Sequence, residues 1–242
     1  MTRISPGKLY GVGVGPGDPE LLTVKGVRLI QQAPVVAFPE GVQGKPGIAE
    51  QIVAPWLRAG QVKLPLSFPY VQAEEVLWAA WELAADQVQS CLQQGLDVVF
   101  VSEGDISFYS TFTYLAQTLQ TRDPNVLIEA VPGIASPMAA AAVLGIPLTV
   151  RSQRLAILPA LYAVADLETA LQTSDVVVLM KVSSVYALVW QVLERYGLLQ
   201  QSYIVERATQ PSQVIYRDLS DRPQLDLPYF SLLIVYTNAC KP

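Results

Sequence analysis

The uncharged positions of this chain gather into short runs, and stretches of helical period separate them. Leu9 to Val14 is such a run, of the kind a strand buried on both faces requires. Asp18-Pro19-Glu20 reads as a helix start, with Asp as N-cap and Pro at the first helical position, and predicts a helix to about Gln32. Pro34–Phe38 predicts the next strand. From Gln72 to Gln94, apolar residues recur at Val76, Leu77, Ala80, Leu83, Ala84, Val88, Cys91 and Leu92, a helical spacing that Gly95 ends. Strands follow at Leu96–Val101 and Val126–Val131, with a helix near Ser107–Gln120 between them and an alanine-rich helix after Pro137.

Around Val150–Leu158 the texture changes. The remainder predicts helices at Asp166–Gln172 and Ser183–Tyr196, and strands at Asp175–Met180, Tyr203–Glu206, Gln213–Arg217 and Ser231–Tyr236. Strands alternating with helices predict an α/β fold with largely parallel sheets, and the short links late in the chain predict a mixed second sheet. The expected boundary lies near Thr149–Leu155. It gives an N-terminal α/β lobe over residues 1–150, carrying a Gly-rich loop, and a C-terminal lobe over 151–242.

Composition narrows the chemistry. The chain has 242 residues, 16 Lys and Arg against 21 Asp and Glu, a net charge of −5 and no histidine. Ser-His-Asp and Cys-His nucleophile systems, His-ligated zinc and an imidazole proton shuttle are thereby excluded. The two cysteines, Cys91 and Cys240, have no metal-ligand spacing, so no resident metal is expected. Ala130–Val150 is uncharged and long enough for a bilayer, yet Pro132, Gly133, Pro137, Gly145 and Pro147 break it, so no membrane span is expected. The first residues show no basic cap followed by an apolar stretch, and a cytoplasmic setting is expected. From residue 64 to residue 121 there is no basic residue and seven acidic ones, the wrong sign for a nucleic-acid surface.

In parallel α/β sheets, ligands bind beyond the carboxyl ends of the strands. Those ends carry GPGDP after Val14, SEGDISF after Val101, PGIAS after Val131, KVSS after Met180 and RATQP after Glu206. Gly11, Gly13, Gly15 and Gly17 form G-x-G-x-G-x-G, which fails the dinucleotide fingerprint G-x-G-x-x-G in both registers, and there is no P-loop. Such a loop is either a tight turn or a ligand loop. Asp105 is open to two readings, the N-cap of the helix that follows or a ligand-holding carboxylate. Met180, taken alone, is ordinary packing.

Three segments carry a resemblance over nearly the whole chain: GVGPGDPELLTVK, EGDISFYSTFTYL and VPGIAS. They are similar to the S-adenosylmethionine-dependent tetrapyrrole (corrin and sirohaem) methyltransferases, and the second resembles the subgroup that methylates precorrin-2 at C20. The resemblance implies two α/β lobes with the cofactor folded between them, a homodimer, and a tetrapyrrole substrate of cobalamin biosynthesis. It implies cofactor contacts from Pro16, from Glu103, Gly104, Asp105 and Phe108, from Ala135 and Ser136, and from Met180 and Ala208. Ile106 stands where many relatives have Pro, and Ala135 where many have Ser or Thr, which removes a side-chain hydrogen bond. Tyr109 and Tyr114 are candidate proton acceptors, and Lys45, Arg151 and Arg154 candidate partners for substrate carboxylates. The alternatives are methylation at another position of a precorrin or uroporphyrinogen, methylation of a protein residue, or a non-catalytic adenosyl-binding module.

Overall fold

A computed structural model describes residues 5–41, 45–69, 71 and 73–237; Gln72 and Cys240 lie outside these. The chain divides into two units, Met1–Ala135 and Ser136–Pro242.

The first unit is built on a five-stranded sheet. Its strands are β1 (Leu9–Gly13), β2 (Val35–Pro39), β3 (Val62–Leu66), β4 (Val98–Ser102) and β5 (Ile128–Val131), and all neighbours pair in parallel in the order β3-β2-β4-β1-β5. The inner strands β1, β2 and β4 are buried almost throughout because helices cover both faces. On one face Leu9, Val35, Val98 and Phe100 meet α3 (Glu74–Gln93) and α4 (Phe112–Arg122). On the other, Val12, Val36, Val99 and Val101 meet α1 (Val24–Gln32) and α2 (Ile48–Val53).

Three local outcomes differ from the sequence reading. The stretch expected as one helix from Asp18 to Gln32 is split: Asp18 caps only a 3-10 turn at Pro19–Leu21, and α1 begins at Val24 with Thr23 as its own cap. The helix expected from Ser107 begins only at Phe112. Elements α2 and β3 had not been expected; β3 carries Lys63 and Pro65 at the sheet edge, where a missing N–H is tolerated. The stop at Gly95 is as expected. Gly95 takes a left-handed φ of 79°, and the N–H groups of Gly95 and Leu96 bond the carbonyls of Leu92 and Cys91.

The second unit starts with α5 (Ser136–Leu144) and holds β6 (Leu155–Leu158), α6 (Val164–Thr173), β7 (Val176–Met180), α7 (Tyr186–Arg195), β8 (Ser202–Glu206), β9 (Val214–Arg217) and β10 (Ser231–Tyr236). Its sheet runs β6-β7-β10-β8-β9 and is mixed: β6 and β7 are parallel, while the other three pairings are antiparallel. Helices α6 and α7 cover one face through Leu167, Leu171, Val189 and Leu193. The division falls at 135/136, ahead of the boundary that the texture placed near 149–155. The cause is α5, which packs on β10 and whose Leu144 carbonyl accepts a 2.6 Å hydrogen bond from Arg217 of β9. Among the described residues, no helix is long and apolar enough to cross a membrane. The Ala130–Val150 stretch instead supplies the end of β5, a turn and the nine-residue α5.

Candidate active site

Within the first unit, β4, β1 and β5 are neighbours, so the loops leaving their carboxyl ends lie side by side. Their backbones meet. Gly15 and Gly104 exchange two hydrogen bonds, of 3.1 and 2.8 Å, and both take left-handed φ, 78° and 69°. A Cβ on Gly13 would stand 2.7 Å from the Gly133 nitrogen and 2.8 Å from the Gly104 oxygen; one on Gly133 would stand 2.3 Å from that oxygen. Three segments converge here at distances only glycine permits. The glycine-rich first loop thus packs against the second and third loops, which a merely local turn would not require.

Asp105 ties the second loop to the third. Its Oδ2 accepts from the Gly133 N–H at 2.8 Å, and its Oδ1 accepts from the Ser107 N–H at 2.9 Å and the Ser107 hydroxyl at 2.5 Å. Burial acts to raise its pKa, but the Ser107 hydroxyl and the N–H groups of Gly133, Ser107 and Ile106 together outweigh it and hold the carboxyl below its ordinary value. The helix-cap reading fails on geometry: α4 starts seven residues later, and the Phe112 N–H at its start bonds the Ser110 hydroxyl. Ser110 in turn donates to the Ser102 hydroxyl, a buried pair at 3.0 Å that fixes the loop's far end.

Glu103 behaves differently from its neighbour. Burial pushes its carboxyl pKa up, and the N–H of Ala49 in α2 offsets this only in part. The two acids, adjacent in sequence, are therefore shifted in opposite directions. Nothing in the letters Ser-Glu-Gly-Asp signals that split.

Of the other residues singled out from sequence, Pro16 is half-buried beside Gly15, and Phe108 packs edge-on to Tyr109 with ring centroids 4.6 Å apart. Ala135 is buried, and its Cα lies 4.0 Å from where a Cβ on Gly104 would be, so it belongs to the same junction. Ser136 opens α5 in the second unit. Met180 ends β7 and pairs with Leu232, while the buried Ala208 follows β8. Strands β7 and β8 flank β10 and run in the same direction, so Met180 and Ala208 stand at one edge of the second sheet. Tyr114 stacks on Trp81 of α3 at 4.2 Å, and Tyr109 is exposed with φ 54°. Lys45, Arg151 and Arg154 are exposed. Sequence reasoning missed the backbone at Lys181, Arg207 and Thr209, non-glycine residues with φ of 54°, 45° and 65° at the ends of β7 and β8. Left-handed backbone at such residues costs about 1–3 kcal/mol and concentrates at functional sites. Among the described residues, no cluster of acids and cysteines could hold a metal ion.

A sequence profile of the tetrapyrrole (corrin/porphyrin) methylases matches residues 8–222. The chain belongs to that family. Among its relatives, the cobalamin biosynthesis protein CobIJ of Mycobacterium tuberculosis is 37% identical over 240 residues, 95% of this chain but 46% of CobIJ. The chain thus spans about half the length of that relative. Precorrin-2 C(20)-methyltransferase of a Sinorhizobium species is 33% identical over 243 residues, 97% of each chain. Among solved structures, the cobalt precorrin-4 methyltransferase CbiF superposes with a TM-score of 0.73 at 25% identity, covering 95% of this chain and 94% of CbiF. Uroporphyrin-III C-methyltransferase of Thermus thermophilus, in complex with S-adenosylhomocysteine, gives 0.66 at 24% identity, covering 95% and 97%. In this tetrapyrrole methylase the three segments that carry the family likeness are the three whose backbones converge at Gly13, Gly104 and Gly133.

Proposed function

We propose that this chain transfers a methyl group from S-adenosylmethionine to the C20 meso carbon of precorrin-2, or of its cobalt form, in cobalamin biosynthesis. The observation that carries the reading is the junction built by the EGDISFYST segment, in which Asp105 pins the second strand-end loop to Gly133 of the third. The near full-length likeness to the Sinorhizobium C20 enzyme supports it. The fit to an adenosyl ligand rests on the same junction, where three strand-end loops are held together beyond the carboxyl ends of β4, β1 and β5, the end of a parallel sheet at which ligands bind.

When bound, the sulfonium supplies an electrophilic methyl group. The chain's task is then alignment, which contributes up to about 7–11 kcal/mol when donor and acceptor are held in line. Asp105 fixes the loop from Glu103 to Phe108, and the Ser102–Ser110 pair fixes its end. Ala135, buried at the same junction, is left to meet the cofactor through its backbone. The nine residues singled out from the resemblance remain the proposed cofactor contacts. A second copy of the chain is the proposed partner, to be read by sedimentation, and the cytoplasm the proposed setting.

The test is incubation with a ¹³C-methyl donor and precorrin-2. Label at C20 by NMR is the expected result. Label at another carbon would move the chain to another position within the family. S-Adenosylhomocysteine at about 100 times its dissociation constant should add about 2.7 kcal/mol of stability, and an unchanged melting temperature would refute the cofactor assignment.

A further inference from the structure

At the edge of the second sheet where β7 and β8 end, two cations leave the strands together. Met180 pairs with Leu232 on one side of β10, and Glu206 pairs with Ser231 on the other. Lys181 and Arg207 are the next residues, opposite Ser231 and Phe230 by register, so their backbones stand on either side of the chain entering β10, two strand spacings apart, about 10 Å. Both hold left-handed backbone, which no glycine or asparagine eases. The Arg207 N–H bonds the Phe230 carbonyl at 2.7 Å, and the Ser231 hydroxyl bonds the Pro228 carbonyl at 2.7 Å, so the corner between the cations is fixed from both sides.

That corner is aromatic. Tyr229 and Phe230 are both exposed, edge-on to each other with centroids 5.2 Å apart, and the Lys181 ammonium sits 5.5 Å from the Tyr229 ring. Lys181 forms no ion pair with any described residue. The Arg207 guanidinium lies 3.9 Å from Glu206, at the limit of an ion pair, and the other Glu206 oxygen already accepts from the Tyr216 hydroxyl at 2.9 Å. Two under-used cations thus bracket an exposed ring pair, on a chain whose net charge is negative.

Resting on the tetrapyrrole reading, we propose that Lys181 and Arg207 bind peripheral carboxylates of the acceptor macrocycle, with the perpendicular rings of Tyr229 and Phe230 meeting its conjugated face, one face-on and the other edge-on. A flat conjugated body with acidic arms matches this spacing of charge and ring. Lys45, Arg151 and Arg154, the cations suggested by loop setting alone, have no such aromatic partner among the described contacts.

The test uses uroporphyrin, a stable porphyrin polycarboxylate, titrated by fluorescence quenching against the wild type, Lys181→Gln, Arg207→Gln and the double variant. Each single change is expected to weaken porphyrin binding roughly tenfold or more, as loss of a charge-assisted contact does. Lys181→Arg is expected to restore most of the loss, and the S-adenosylhomocysteine melting shift is expected to stay intact in every variant. Unchanged porphyrin affinity in the double variant would overturn the proposal alone. A parallel loss of S-adenosylhomocysteine binding would overturn it too, by assigning the cations to the cofactor's own carboxylate. If the wild type binds the cofactor product but no porphyrin and passes no label to precorrin-2, the tetrapyrrole reading itself falls.

Discussion

Replacing Asp105 with Asn is close to isosteric, yet the geometry makes it nearly as damaging as Ala. Each carboxylate oxygen accepts from a different backbone N–H: Oδ1 from Ser107 at 2.9 Å and Oδ2 from Gly133 at 2.8 Å. An amide has one acceptor oxygen. Whichever way it turns, its NH₂ faces a backbone N–H, and donor meets donor. A hydrogen bond to a charged group contributes about 1.5–3 kcal/mol, and stranding a partly buried donor has a similar cost. Solvent screening at this half-exposed side chain discounts the sum, so about 2 kcal/mol of stability should be lost in Asp105→Asn.

The control is Asp218→Asn. There a single oxygen, Oδ1, accepts from both the Ser220 N–H and its hydroxyl, at 2.9 and 2.6 Å, and the residue has a φ of 59° that Asn tolerates well. Ser220 and Arg222 hold the Asp218 carboxyl below its ordinary value, so that change loses a charge as well, but it strands no donor and should lose clearly less stability than Asp105→Asn. Urea melts give the comparison, and calorimetric titration with S-adenosylhomocysteine should show affinity falling in the Asp105 variant only. If Asp105→Asn loses under about 0.5 kcal/mol and binds the ligand normally, the two-acceptor argument is wrong. The acid limb supplies an independent check. Because the folded pKa is depressed, the Asp105 contribution is full above its ordinary value of 3.8 and is lost as pH falls through the folded value; the variant should lack that part of the acid transition.

The fold was most legible where strands are buried on both faces. Val98–Ser102 and Val176–Met180 read as strands because every position of the first and all but the last of the second are buried. Edge strand β3 escaped notice because three of its five residues are exposed and Pro65 interrupts the run. The helix expected from Ser107 was misread for a local reason: Asp105 and Ser110 divert the N–H groups of Ser107 and Phe112 into side-chain bonds, a competition that apolar spacing does not register. At the site, the strand-end loops could be found by position. That Gly13 touches Gly133 could not, because the contact depends on β5 lying beside β1. Nor could the backbone at Lys181 and Arg207, since neither residue type announces a left-handed φ.

Three further outcomes can be measured. Thr23→Ala removes the cap whose hydroxyl accepts from the Gly26 N–H at 3.0 Å, and should lower stability by about 1 kcal/mol in urea melts without touching ligand affinity. Glu129, paired with Lys25 and Lys8, has its pKa lowered to about 2, so its contribution is complete above 4.5 and disappears as pH falls toward 2; Glu129→Gln should flatten the acid limb of a pH–stability curve there. Gly133→Ala is the sharpest of the three. Its Cβ would lie 2.3 Å from the Gly104 oxygen and 2.6 Å from the Gly13 carbonyl, all of it main chain that no rotamer change can move. One of the three loops must shift, and with it the Gly133 N–H that Asp105 accepts from. Gly145→Ala is the comparison, since it has nothing within 4 Å and bears only the strain of its φ of 68°, about 1–2 kcal/mol. Gly133→Ala should lose more stability than that and should also lose the melting shift given by S-adenosylhomocysteine. If the two alanine variants melt alike and both retain the shift, then the convergence of glycine backbones does not shape the ligand site.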